Sequence, residues 1–300
     1  MPNNRFLPWL LCLALAAPAA GEDLPPMVDI HIHFNWDHEE LVSAEEAVAI
    51  LEDHNVVKAV AFSVPSDNVL TLAEAGGERI VPYFSPYITG RSRDTWYRDP
   101  RVLEAAREGL EQGLYQGIGE LHLVPALGAH RDTPVFRGPV DLALEVDVPM
   151  LIHTEVSSHE YLVPLCQGHP ELRILWAHAG GYIGPEHSRA LLQACDNVWV
   201  ELSARGPRHY GGLVEDDGRL KPRWARLFAD FPGRFMVGTD PVWRGYEVTS
   251  WYAADEGWQH YDRFHDFHKG WLAQLPDDLA RRLRHDNAMA FLEAGPAGAP

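Results

Sequence analysis

The sequence predicts an α/β fold, a (β/α)8 TIM barrel with a C-terminal aromatic-rich helical extension. Three observations carry that expectation. Apolar, β-branched runs recur eight times along the chain. Helix-like segments separate them, and strands alternating with helices imply parallel pairing. The first strand is followed by no glycine-rich phosphate loop, which a doubly wound open sheet would want.

The elements come in order. Residues 1–21 read as a secretory signal peptide: Arg5, an apolar core from Phe6 to Ala17, then small residues with cleavage near Ala19 to Gly21. The core is too short for a comfortable membrane span, and no later stretch is long enough either. A secreted or periplasmic location is expected. Residues 22–295 then form a single TIM-barrel domain. Strand-like runs fall at 28–34, 56–64, 79–87, 115–123, 149–155, 173–181, 198–204 and 235–241. Between them, SAEEAVAILEDH opens with Ser43 and carries Glu46 three residues on, a capping box. DPRVLEAAREGLEQG has Pro100 at its start and Gly113 at its stop. A shorter helix is expected over 66–76, and further ones in GPVDLALEVD, HEYLVPLCQG, PEHSRALLQACD and PRWARLFADF. The aromatic-rich stretch 242–272 precedes DDLARRLRHDNAMAFL, which reads as one amphipathic closing helix.

Composition narrows function. Formal net charge is −18, and lysine occurs only at Lys58, Lys221 and Lys269. So acidic a chain is a poor binder of nucleic acid or anionic membrane. Cys166 and Cys195 remain after the leader, too few for a disulfide framework or a cysteine metal site. One bridge and two buried thiols both remain open.

The chemistry sits where polar residues break the apolar strands. In VDIHIHF, His31 and His33 fall on one strand face, opposite Ile30 and Ile32. Burying two imidazoles without partners would cost a few kcal/mol, so each needs a hydrogen-bond partner or a metal. Glu120 in GIGELH, His153 in LIHTE, His178 in WAHAGG and Asp240 in VGTDP follow at the ends of later strands. Each alone has an ordinary structural reading, as a salt bridge, a satisfied core histidine or a turn residue. Together they converge, because the C-terminal strand ends of such a barrel share one mouth. Four imidazoles and two carboxylates there point to a divalent cation, zinc foremost, with manganese, iron or nickel also suited, as one or two ions per subunit.

These motifs, DIHIHF, HAGG, GTDP and the closing DNAMAFL, make the chain resemble the amidohydrolase superfamily, in its amidohydrolase-related (amidohydrolase-2) branch. The resemblance runs through nearly the whole mature chain. It implies that His31, His33 and Asp240 hold one metal, and that His153 and His178 hold a second or bind metal and substrate. Strand four of the family often carries a carboxylated lysine; Glu120 stands there instead, as in TatD-like deoxyribonucleases, and can still bridge two ions. A cation lowers the pKa of bound water from about 15.7 to roughly 7. Asp240 would take a proton from that water and pass it to the leaving group, with His178 as ligand or carbonyl polariser.

Around the rim, His122, Arg91, Arg205, Trp243 and Arg244 are candidate substrate contacts, and an arginine among them could clamp a carboxylate. Arg93 and Arg208 occupy similar loops, and Glu155 is placed to orient His153. His260, His265 and His268 read as one face of a surface or lid helix. The expected activity is hydrolysis of an amide, lactone or ester of a small molecule. A metal-dependent decarboxylase of the same superfamily and a non-catalytic metal-binding barrel are the alternatives. A homo-oligomer is compatible with either.

Overall fold

A computed structural model describes residues 25–36, 41–90, 95–123, 131–154, 157–207, 209–242 and 257–294. Among these residues lie eight strands: β1 (Met27–His33), β2 (Val56–Phe62), β3 (Ile80–Pro82), β4 (Ile118–His122), β5 (Met150–His153), β6 (Ile174–Trp176), β7 (Val198–Glu201) and β8 (Phe235–Met236). Every pairing is parallel, in one run β1-β2-β3 and a second β4-β5-β6-β7-β8. Hydrogen bonds join the two runs at both seams. Phe84 bridges Ile118, and the Ile30 N–H donates to the Val237 carbonyl at 3.0 Å. The architecture is the (β/α)8 barrel the alternation predicts.

Helices α1 (Ala44–Asp53), α2 (Asn68–Gly76), α3 (Arg101–Glu111), α4 (Pro134–Val146), α5 (Val163–Gly168), α6 (Pro185–Ala194) and α7 (Pro222–Asp230) connect the strands. The capping box at Ser43 forms as expected: its Oγ accepts from Glu46 N at 3.2 Å, and Glu46 Oε2 accepts from Ser43 N at 2.8 Å. Helix α4 begins a turn earlier than its apolar pattern suggests, because Pro134 supplies a preset first helical residue. Cys166 of α5 and Cys195, which follows α6, form a disulfide.

The barrel interior is layered. One apolar cluster, Val28, Ile30, Val60, Phe62, Val81, Tyr83, Leu151, Leu175 and Met236, fills the inside and is plugged by Ala288 and Phe291. A larger cluster lies between strands and helices and holds Ile32, Ala61, Ile118, Ile152, Trp176 and Val200 with Leu51, Leu72 and Leu191. Strand β1 departs from simple alternation. Its register shifts between Asp29 and Ile32, so Ile30 joins the inner cluster and Ile32 the outer. Ile30 and Ile32 therefore do not share a face, although His31 and His33 do meet. The irregularity lets Val28 and Ile30 close the bottom of the barrel while both histidines stand above them.

The closing segment is not one regular helix. α8 (Tyr261–Leu272) is followed by α9 (Asp277–Arg281), a wide π turn at Arg282–Asp286, and α10 (Asn287–Glu293). The wide turn frees the Leu283 carbonyl, which accepts from Val237 N at 3.2 Å beside β8. Asn287 Nδ2 then bonds the carbonyls of Pro232 and Phe235, each at 2.8 Å. Part of the aromatic stretch packs against β1. Trp258 Nε1 donates to the His33 carbonyl at 2.8 Å, and the Tyr261 hydroxyl to Asp29 Oδ2 at 2.7 Å. Trp243, Tyr246, Trp251 and Tyr252 lie outside the described residues. His265 and His268 are buried in α8 rather than presented on a surface face. Among the described residues no helix is long and apolar enough to cross a membrane.

Candidate metal centre

All six expected donors meet above the inner cluster. His31, His33, Glu120 and His153 stand on strands; His178 and Asp240 lie just beyond β6 and β8, where the backbone turns left-handed. φ is 53° at His178 and 51° at Asp240, conformations disfavoured for residues with a Cβ. Hydrogen bonds hold them there. Asp240 N donates to the His31 carbonyl at 2.9 Å, and His178 N to Glu201 Oε1 at 2.5 Å. Two glycines admit this crowding. A Cβ on Gly119, beside Glu120, would come within 2.6 Å of Leu151 Cβ, and one on Gly238 within 2.7 Å of His31 Cβ.

Glu120 is the hub. Its Oε1 lies 2.9 Å from His153 Nδ1 and 3.2 Å from His178 Nε2. Its Oε2 lies 3.4 Å from His33 Nε2 and 4.0 Å from His31 Nε2. Asp240 Oδ1 completes the second side, 3.4 Å from His33 Nε2 and 3.7 Å from His31 Nε2. His31 Nε2 and His33 Nε2 face each other at 3.4 Å. Among these six, two donor sets result, His31–His33–Asp240 and Glu120–His153–His178, each with its ligand atoms within 4.8 Å of one another. Glu120 stands between them.

The set fits a divalent cation. Two imidazole nitrogens aimed at each other beside two carboxylates are nitrogen and oxygen donors of the type zinc and its neighbours take. Asp240 Oδ1 is buried with no hydrogen-bond partner among the described residues, although buried carboxylate oxygens are normally paired. Without a cation the groups compensate one another. Burial would lower the His31 pKa, but the Glu201, Asp240 and Glu120 carboxylates outweigh it and raise it to about 10. Burial would likewise raise Glu120, but the charges of His122 and His153 and bonds from His153 and His178 hold it well below the usual carboxylate range. Burial keeps His33 low.

The rim is partly in view. Arg91, Arg93, Trp243, Arg244, Arg208 and Glu155 lie outside the described residues. His122 reaches the centre's edge, its Nε2 3.5 Å from Glu120 Oε2 and its Nδ1 bonded to the Tyr87 hydroxyl. Arg205 departs from the expected clamp. It is buried, its guanidinium bonds the carbonyls of Gly181 and Ile183, and it lies over the Trp224 ring at 5.0 Å. It braces the turn that carries His178, and burial lowers its pKa to about 10.

Two buried carboxylates were not among the candidates. Asp29 accepts from Thr239 N at 2.9 Å, Thr239 Oγ1 at 2.6 Å and Tyr261, tying β1 to the segment that carries Asp240. Burial raises its pKa to about 6 against those bonds. Glu201 of β7 lies 3.1 Å from His31 Nδ1 and accepts from Ser203 N at 2.7 Å. Burial would raise it, but His31 and His178 bring it to about 2. The signal for both was present: a charged residue inside an apolar run, in VDIHIHF and VWVELSA.

Comparisons with known proteins bear on the fold and the family. No curated protein sequence matches the chain. Solved structures do. A probable 2-pyrone-4,6-dicarboxylic acid hydrolase of Acinetobacter baumannii with citric acid bound is 12% identical, at a TM-score of 0.57, over 90% of this chain and 100% of that one. A dihydroxybenzoic acid decarboxylase of Polaromonas sp., with manganese and 2-nitroresorcinol bound, is 9% identical, at 0.55, over 89% and 97%. An amidohydrolase of Burkholderia multivorans with zinc bound is 18% identical, at 0.53, over 89% and 99%. At these identities the likeness is one of fold. The amidohydrolase family model, by contrast, matches residues 28–294, and the chain belongs to that family.

Proposed function

We propose that this protein is a metal-dependent hydrolase that uses water to open an amide, lactone or ester of a small molecule. The observation that carries the reading is Asp240. Its Oδ1 is buried, without a hydrogen-bond partner among the described residues, and placed beside His31 and His33. One or two divalent cations held by His31, His33, Glu120, His153, His178 and Asp240 would supply Lewis acidity to a substrate oxygen and to water. Asp240 is the proton carrier: its carboxylate accepts a proton from the attacking water and returns it to the leaving atom. Glu120, between the two donor sets, supports two ions over one. His178, fixed by its turn, points Nε2 into the same space as Glu120 Oε1 and is placed to orient the substrate carbonyl. The inner apolar cluster closes the mouth from below, with the Phe62 ring edge-on to His31 at 4.8 Å and to His33 at 4.4 Å.

A second reading, non-oxidative decarboxylation, uses the same donors, and the fold likeness to dihydroxybenzoate decarboxylases favours keeping it. The test is a panel of lactones, amides, esters and aromatic acids, run with carbon dioxide release monitored. Turnover without carbon dioxide, abolished by a chelator and restored by Zn²⁺, supports the hydrolase. Chelator-sensitive release of carbon dioxide overturns it in favour of the lyase. A folded, metal-loaded protein inert across the panel overturns both in favour of a binding barrel. Zinc as the resident ion is read by elemental analysis of protein purified without added metal.

Export is part of the proposal. The leader-like residues 1–21 and the Cys166–Cys195 disulfide both suit an oxidising compartment. Fractionation with N-terminal sequencing should find mature protein beginning near Gly21, outside the cytoplasm.

A further inference from the structure

We propose that β7 and the loop after it, which place no donor in either metal set, form the positioning layer of the centre through Glu201, Ser203 and Tyr210. The inference rests on the metal reading above. An imidazole that offers one ring nitrogen to a cation carries its hydrogen on the other, and that hydrogen needs an acceptor to fix tautomer and ring orientation. For three of the four histidines the acceptor comes from one segment. His31 turns Nε2 to the centre, and its Nδ1 lies 3.1 Å from Glu201 Oε1. His178 turns Nε2 to Glu120, and its Nδ1 lies 2.8 Å from Ser203 Oγ. His153 does the reverse. Its Nδ1 faces Glu120, and its Nε2 lies 3.3 Å from the Tyr210 hydroxyl. With the inward nitrogen given to a cation, the outward nitrogen would carry the hydrogen and donate it to the residue of this segment.

Glu201 does more than the other two. It is fully buried, and its two oxygens serve three N–H groups: His31 Nδ1, the His178 backbone and the Ser203 backbone. It thereby sets the His31 ring, the left-handed turn of His178 and the position of Ser203 at once. Glu201, His31 and His178 also lie close enough to hold an ion themselves. That arrangement would draw His31 Nδ1 to the metal and leave the facing pair of His31 and His33 Nε2 without purpose. The geometry favours Glu201 as a positioning residue and not a ligand. Arg205, in the same segment, braces the other side of the turn through the Gly181 and Ile183 carbonyls.

The test uses the full mature chain and Zn²⁺ alone, titrated against a competing chelator, with Mn²⁺ as a second probe. Glu201→Gln keeps shape but presents an amide N–H where an N–H must be accepted. It should weaken Zn²⁺ binding 10- to 100-fold, while the melting temperature of the cation-free protein shows it folded. Tyr210→Phe and Ser203→Ala, each touching one imidazole, should weaken binding by smaller factors. A merely structural role would lower the melting temperature and leave affinity alone. Should Glu201→Gln not fold, the two milder variants decide. Wild-type affinity in folded Glu201→Gln, or in both milder variants, overturns the inference while the metal reading stands. Failure of folded wild-type protein to bind either ion overturns both.

Discussion

Two groups of buried histidines in this molecule obey opposite rules. In the mouth, His31, His33, His153 and His178 turn ring nitrogens toward Glu120, with Asp240 and Glu201 beside them. On α8, His268 accepts the Trp271 indole hydrogen on Nδ1 at 3.1 Å and bonds the Gly238 backbone, and His265 lies 4.8 Å from the His54 ring. Burial lowers the pKa of His268 to about 3 and that of His265 to about 4, whereas the carboxylates raise His31 to about 10. One group is packed within the protein and held neutral by burial. The other crowds imidazole nitrogens against the carboxylate oxygens of Glu120 and Asp240, the donor set a cation takes. Burial alone does not make a histidine a ligand; convergence with other imidazoles on shared carboxylates does.

The largest expected effect tests the mouth side of that comparison. Asp240→Asn keeps the shape and one oxygen but removes the proton acceptor. Turnover should fall by about 10²- to 10⁴-fold, with cation content by elemental analysis near that of the wild type. Unchanged turnover would remove Asp240 from the proton path. Next in size is removal of the cation. A ligand present at about 100 times its Kd stabilises the native state by roughly 2.7 kcal/mol. Chelation should therefore lower the melting temperature, and Zn²⁺ should restore it. A melt indifferent to chelator would mean that the mouth histidines are as self-sufficient as those of α8.

Much of this was legible in the sequence, and the exceptions share a cause. Periodicity shows which face a residue takes, so His31 and His33, Glu120 and His153 stood out against apolar neighbours. His178 and Asp240 were legible through HAGG and GTDP, although both lie past their strands, in left-handed turns. Periodicity does not show which distant atom meets which. Glu201 broke the pattern of β7 as plainly as Glu120 broke that of β4, but its role depends on His31, 170 residues away. Arg205 looked like a substrate clamp because its bonds to the Gly181 and Ile183 carbonyls exist only in the folded turn. The register shift in β1 and the wide turn at Arg282–Asp286 answer to the barrel's closure, which no local run of residues encodes.

The α8 side is tested by pH. A histidine whose pKa is lower folded than unfolded binds fewer protons in the native state between those values, so stability falls as pH falls through that window. For His268 the window runs from 6.5 down to about 3. Asp29, raised to about 6, acts in the opposite sense below that pH, so the wild-type curve alone does not isolate the histidine. The difference between wild type and His268→Leu does. At pH 7 the variant should be less stable by about 1–3 kcal/mol, because the Trp271 indole loses its acceptor. That gap should shrink by about 2 kcal/mol on going to pH 5. A gap constant with pH, read from urea melts, would show that His268 does not resist protonation and would erase the contrast with the mouth.

The smallest expected effect asks whether the two regions are independent. Helix α1 meets the α8 side at its far end. There, His54 Nδ1 bonds the Ile50 carbonyl at 2.7 Å and its Nε2 bonds Asp262 at 2.8 Å. Its start is held by the exposed capping box of Ser43 and Glu46. Ser43→Ala removes an acceptor for the Glu46 N–H and should lower stability by about 1 kcal/mol. Since no titrating partner is lost, the decrement should be equal at pH 7 and pH 5, and Zn²⁺ affinity should not move. A cap mutation that weakened cation binding would mean that strain entering through α1 and α8 reaches β1 and the Asp240 segment by way of Tyr261 and Asp29. The two histidine groups would then be one mechanical unit rather than two.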